Sequence, residues 1–153
     1  MQTLTITAAD LTDGVYTGAT DVSDFEGHIE IEANLGTVRF KAGICVAGGI
    51  FAKAGSGIEA GEGIKAGWGI KAGLGIKAGE GIKAGCGIEA GEGIEAQLSI
   101  RAKWISTKLR IFAGLCMWRF PKPADMEVEG EIRAGTIAFG TAISAREKSE
   151  ASQ

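Results

Sequence analysis

Histidine and cysteine, the side chains best suited to acid–base and nucleophilic chemistry near neutral pH, are few in this chain and scattered. His28 is the only histidine, and Cys45, Cys86 and Cys116 stand far apart with no C-x-x-C pair. A metal centre needs several converging ligands, so one imidazole and three dispersed thiols are poor material for it. A general base needs placement as well as chemistry. His28 lies in Gly27-His28-Ile29-Glu30-Ile31-Glu32-Ala33, whose alternation reads as a strand, and an ordinary strand histidine is the expectation. The many G-x-G triplets do not make a phosphate cradle, because no strand–loop–helix unit and no closing Gly-Lys-Ser/Thr accompanies them. No catalytic residue, cofactor site or metal site is therefore expected, and no enzyme.

Whatever this chain does must be positioned by a repeat. From Gly55 to Ala96 it reads G-x-G-I-x-A without a break, with isoleucines at Ile58, Ile64, Ile70, Ile76, Ile82, Ile88 and Ile94. Ile100 continues the column, and upstream the same spacing falls on Ala52, Val46 and Phe40, so that hexads run from Thr37 to Ala102. Six residues advance an α-helix by about 600°, which would spiral the isoleucines around it. Two glycines per hexad add about 1 kcal/mol each against a helix. In a strand, isoleucine and the alanine two places on share a face, and the charged residue between them points outward. The expected unit is thus an I-x-A strand with G-x-G as the corner, where glycine tolerates positive φ and lets neighbouring coils approach closely. Stacked units bury a face that one coil alone leaves open.

The repeating I-x-A-G-x-G resembles the hexapeptide-repeat left-handed β-helix and, more loosely, the bactofilin-type polymer-forming repeats. The register departs from the usual one: two places before each isoleucine stand Ser56, Glu62, Trp68, Leu74, Glu80, Cys86 and Glu92, where the family carries a small residue. The resemblance implies an all-β β-solenoid with three hexads per coil; a two-sided coil of twelve residues stays open. Charge pairing does not choose between them. At an 18-residue step Glu59–Lys77–Glu95 and Lys71–Glu89 are opposite, yet Lys65–Lys83–Arg101 are alike. The resemblance also brings in acyltransferases that rely on a histidine base, a role His28 is poorly placed to fill ahead of the repeat.

At 153 residues the chain makes a single domain. Its 25 glycines would suggest disorder, but 45% of the residues are hydrophobic, enough for a core. A net charge of −3 gives no general pull toward nucleic acid or an anionic membrane. An odd number of cysteines, an N-terminus without signal-peptide character and no apolar run of about 18 residues point to a cytoplasmic protein with no membrane span. Residues 1–36 read as strands that enter or cap the solenoid, 37–102 as the solenoid, 103–124 as an inserted segment, 125–146 as resumed strands, and 147–153 as a polar tail.

The candidate site residues are those able to anchor a protein partner. With three hexads per coil, Trp68, Cys86 and Trp104 stack on one corner and Leu74 on another, and exposed tryptophan on a rigid scaffold is a common anchor. Residues 103–120 are aromatic and basic, with Lys108, Arg110, Trp118 and Arg119 as contact residues. They read equally as a cap on the solenoid or as a surface for nucleic acid or lipid. Ile105, Leu109, Phe112 and Cys116 follow helical spacing, whereas Leu109, Ile111 and Ala113 alternate, so helix and strand both stay open until Pro121 and Pro123. The function expected is a non-enzymatic interaction protein, homo-oligomeric, that binds or inhibits a protein complex in the manner of a phage or mobile-element product. A bactofilin-like scaffold and an acyltransferase-like enzyme are the alternatives. Mixed lysine and glutamate columns make charge mimicry of DNA a poor fit.

Overall fold

The computed structural model describes residues 2–143. Each hexad forms a short strand, such as Ile64–Ala66, Ile70–Ala72, Ile76–Ala78 and Ile82–Ala84. In each of them isoleucine and alanine are buried and the lysine between is exposed, as period-two patterning requires. The strands join into one curled, mostly parallel sheet in which each hexad strand pairs with the strand three places on. Ile58 lies opposite Ile76 and Ile76 opposite Ile94; Ile64 lies opposite Ile82 and Ile82 opposite Ile100. From Ile58 to Ile100 the ladder therefore steps by eighteen residues, not twelve.

Three columns of strands result. The first holds Gln2–Ile6, Gly27–Ile31, Ile50–Ala52, Ile70–Ala72 and Gly87–Ala90. The second holds Gly36–Phe40, Ser56–Ala60, Ile76–Ala78 and Ile94–Ala96. The third holds Ile44–Val46, Ile64–Ala66 and Ile82–Ala84. Isoleucines and alanines from all three pack into one core, and each buried isoleucine contributes about 1.5–3 kcal/mol.

The upstream phase differs from the one the six-residue count predicts. Val38, Ile44 and Ile50 occupy the isoleucine positions, opposite Ile58, Ile64 and Ile70, while Phe40, Val46 and Ala52 fall in the alanine positions. Two extra residues at the Lys53–Gly55 corner cause the slip; the chain turns there on Gly55 at φ +80°. Elsewhere in the hexads glycine serves close approach, not positive φ. A Cβ on Gly79 would collide with the carbonyl oxygen of Gly61, and one on Gly85 with that of Gly67.

Gln2–Ile6 and Gly27–Ile31 extend the first column directly. A hairpin, Leu11–Thr12 with Val15–Tyr16, turns on Asp13 and Gly14, both at positive φ. It joins the second column where Val15 meets Arg39, and the Tyr16 ring rests 5.4 Å from that of Phe40.

At the other end, Ile100–Ala113 is one strand of 14 residues that passes through all three columns, placing Ile100, Ile105 and Ile111 opposite Ile82, Ile88 and Ile94. The helical alternative for 103–120 fails: no α-helix occurs among the described residues, and of its expected stripe only Ile105 is buried. An existing ladder edge rewards strand period, burying Ile105 with Thr107 and Ile111 with Ala113. The chain leaves the ladder later than expected, at Gly114, makes a short 3₁₀ turn at Pro123–Met126, and returns as Glu127–Phe139. There Ile132 and Ile137 resume opposite Ile105 and Ile111, and Thr141–Ile143 adds a further strand beside Glu127. Ala142, not Ile143, stands opposite Val128. Ser144 and Ala145 of the last expected triplet, and the 147–153 tail, lie outside the described residues. Among the described residues no helix is long and apolar enough to cross a membrane.

Candidate functional site

The glycine before each isoleucine leaves a bare row on the outside of each column: Gly49, Gly69 and Gly87 on the first, Gly57, Gly75 and Gly93 on the second, Gly43, Gly63 and Gly81 on the third. A row without side chains, flanked by outward charged residues on one side and corner residues on the other, is a trough running along the stack. All three columns have one. On the third, Glu62, Lys65, Glu80 and Lys83 form the walls, and on the second Glu59, Lys77, Glu92 and Glu95 do, with Phe112 at one end.

The first-column trough is different. It encloses about 540 Å³, and its walls include His28, Phe51, Trp68, Cys86 and Trp104, with Glu30, Lys71 and Glu89 at the rim. Trp68 is 55% exposed. The His28 ring meets it edge-on, centroids 4.7 Å apart, and His28 Nδ1 accepts a hydrogen bond of 2.9 Å from the Gly49 amide. That bond makes Nδ1 the unprotonated nitrogen and fixes the ring that supports the indole. Lys71 Nζ stands 5.4 Å from the Phe51 centroid, and the Arg133 guanidinium 4.7 Å from that of Trp104, both within range of attraction to a ring face. Lys53 reaches Glu30 at 2.7 Å, and this carboxylate raises the ammonium's pKa.

The expected anchors fall in three places. Trp68, Cys86 and Trp104 do share the first trough, though not as a simple stack. The Cys86 amide donates to the Trp68 carbonyl and the Lys103 amide to that of Cys86, so Lys103 follows Cys86 on the corner. Trp104 pairs instead with Gly87, because the step from Ile88 to Ile105 is one residue short of eighteen. Leu74 sits on the corner between the first and second columns, linked through Ser56, Glu92 and Leu109 backbones, with Lys108 and Arg110 exposed beside Leu109. Trp118 and Arg119 lie on the 114–126 excursion, where Arg119 pairs with Asp125. The Asp125 carboxyl is held below the usual carboxylate range by Arg119 and by the Lys122 amide.

Sequence reasoning missed Phe51 and the supporting part of His28. Both precede the regular repeat: the two-residue slip at Lys53–Gly55 hides the alignment of Phe51 with Lys71, and the longer, non-hexad chain between His28 and Gly49 hides theirs. Among the described residues, no three His, Cys, Asp or Glu side chains converge as metal ligands. In comparison with known proteins, the chain matches no family model, no curated protein and no solved structure.

Proposed function

We propose that the chain is a β-solenoid interaction protein, coiled three-sidedly in the manner of the hexapeptide-repeat β-helices, whose first-column trough engages a partner protein. One observation carries the reading. Three troughs share the same backbone, yet aromatic walls dominate one alone, with Trp68 exposed on a rigid support. Aromatic anchors in a preformed groove lose little conformational freedom on binding, which is why they dominate interface energetics. His28 fits this reading better than a catalytic one, since its Nδ1 is engaged by a backbone amide and its ring by Trp68. A small binder of this kind acts by occupying a surface, as an inhibitor of a larger complex does.

The test is affinity capture of the tagged protein from a bacterial lysate, run in parallel with Trp68→Ala and Lys77→Ala. One dominant complex at near-stoichiometric yield, kept by Lys77→Ala and weakened about thirtyfold or more by Trp68→Ala, is the expected result. Recovery of the bait alone, or equal capture by all three proteins, would overturn the reading.

A further inference from the structure

The 114–126 excursion is folded yet turns its largest apolar side chains to solvent. Met117 is 87% exposed, Trp118 55% and Phe120 96%. The loop is not loose: Arg119 pairs with Asp125, the Lys122 amide donates to the same carboxylate at 2.8 Å, and Gly114 packs so closely on Met126 that a Cβ would not fit. These contacts fold the loop on itself while its tip stays exposed. Residues 144–153 offer no apolar side chain larger than alanine to cover the tip.

Positive charge is concentrated in the same stretch of chain, ahead of the strand that carries Glu127, Glu129 and Glu131. Residues 103–124 carry Lys103, Lys108, Arg110, Arg119 and Lys122 and no acidic residue, in a chain whose net charge is −3. The turns of the ladder bring these cations to all three corners of the coil that ends at Ala113: Lys103 before the first column, Lys108 and Arg110 before the second, Arg119 and Lys122 on the excursion before the third. Leu109, also exposed, stands between Lys108 and Arg110.

From this arrangement we infer that the 114–126 excursion docks on an anionic lipid bilayer, with Met117, Trp118 and Phe120 entering the interface and the cations nearest the tip facing the headgroups. A projecting apolar tip suits hydrocarbon, which needs no matching pocket. Tryptophan settles at the headgroup level, and flanking lysine and arginine reach back to anionic lipid. Single-stranded nucleic acid is the lesser fit: Met117 and Leu109 offer no flat ring on which a base could stack.

The experiment is flotation of the full chain with vesicles of phosphatidylcholine alone and of phosphatidylcholine mixed with phosphatidylglycerol, at low and physiological salt. Binding should require the anionic lipid, weaken with salt, and fall about tenfold or more in Phe120→Asp and in Lys108→Glu/Arg110→Glu. Trp68→Ala, which leaves this end untouched, should float like the parent, so failure here is distinct from failure of the trough. Phe120 is almost wholly exposed, so its variant should unfold at the parent's denaturant midpoint. No flotation with anionic vesicles, flotation unchanged by Phe120→Asp, or tighter binding to single-stranded DNA than to vesicles would each overturn the inference.

Discussion

The indole of Trp104 lies over the Cα of Gly87, its partner on the neighbouring strand. A side chain at position 87 would occupy the same space as the indole. The first trough ends here because a glycine row meets a tryptophan. Gly87→Ala should displace the ring, cost about 1–3 kcal/mol, and shift tryptophan emission toward that of a solvated indole. Unchanged emission and an unchanged denaturation midpoint would show that the ring is not held against Gly87.

The two glycines of a hexad are unequal. A Cβ on Gly79, at the first position, runs into the backbone carbonyl of Gly61, whereas one on Gly63, at the second, would sit 3.4 Å from the carbonyl oxygen of Gly81. Backbone cannot step aside as a side chain can. Gly79→Ala should therefore lose about 2 kcal/mol or more, and Gly63→Ala about 0.5 kcal/mol or less. Chemical denaturation of both variants decides the point, and equal losses would contradict the close-approach account.

Lys83 stands opposite Lys65 on one side and Arg101 on the other. Arg101 is partly neutralised by Glu127 and Glu129, each 3.6 Å away; no ion pair at Lys65 or Lys83 is seen among the described residues. Lys83→Glu converts two like-charge neighbours into opposite ones and should stabilise by about 0.2–1 kcal/mol at low salt. The gain should shrink as ionic strength rises. A loss of stability in low-salt thermal melts would argue against this pairing.

The Arg119–Asp125 pair gives the excursion a pH dependence. Arg119 and the Lys122 amide both favour the ionised carboxylate, so the folded-state pKa lies below the unfolded one. The contribution of the pair is therefore complete above the usual carboxylate range and lost as pH falls through the lowered value. Fluorescence of Trp118, in a Trp68→Phe/Trp104→Phe background, should stay constant from neutral pH down through the ordinary carboxylate range and change only below it. In Asp125→Asn that low-pH step should vanish; its persistence would assign it to another group.

Much of the scaffold was legible in the residues. A six-residue period with isoleucine and alanine two apart admits burial only on strands, and two glycines per unit exclude a helix, so the inward and outward positions from Ile58 to Ala96 follow from local chemistry alone. The upstream phase was not legible. Counting in sixes put Ala52, Val46 and Phe40 in the isoleucine column, and only the ladder shows that two residues at Lys53–Gly55 are absorbed in a corner. Segment 103–113 was ambiguous for a different reason: its apolar residues fit both periods, and the neighbouring edge that selects the strand is supplied by Gly87–Ala90 and Ile94–Ala96.

The sequence by itself determined that this protein stacks strands, buries Ile and Ala, and turns its charges outward, because those are properties of a repeat only a few residues long. The tertiary structure decided which hexads pair in the curled sheet, each with the one three places on, and with that which side chains become neighbours. His28, Phe51, Trp68 and Trp104 share one trough although 76 positions separate the first from the last. Nothing in the local pattern marks them as a group. Neighbourhood along the stack depends on the summed length of every strand and corner between two residues, and one residue more or less in a corner moves a side chain to a different position on the wall.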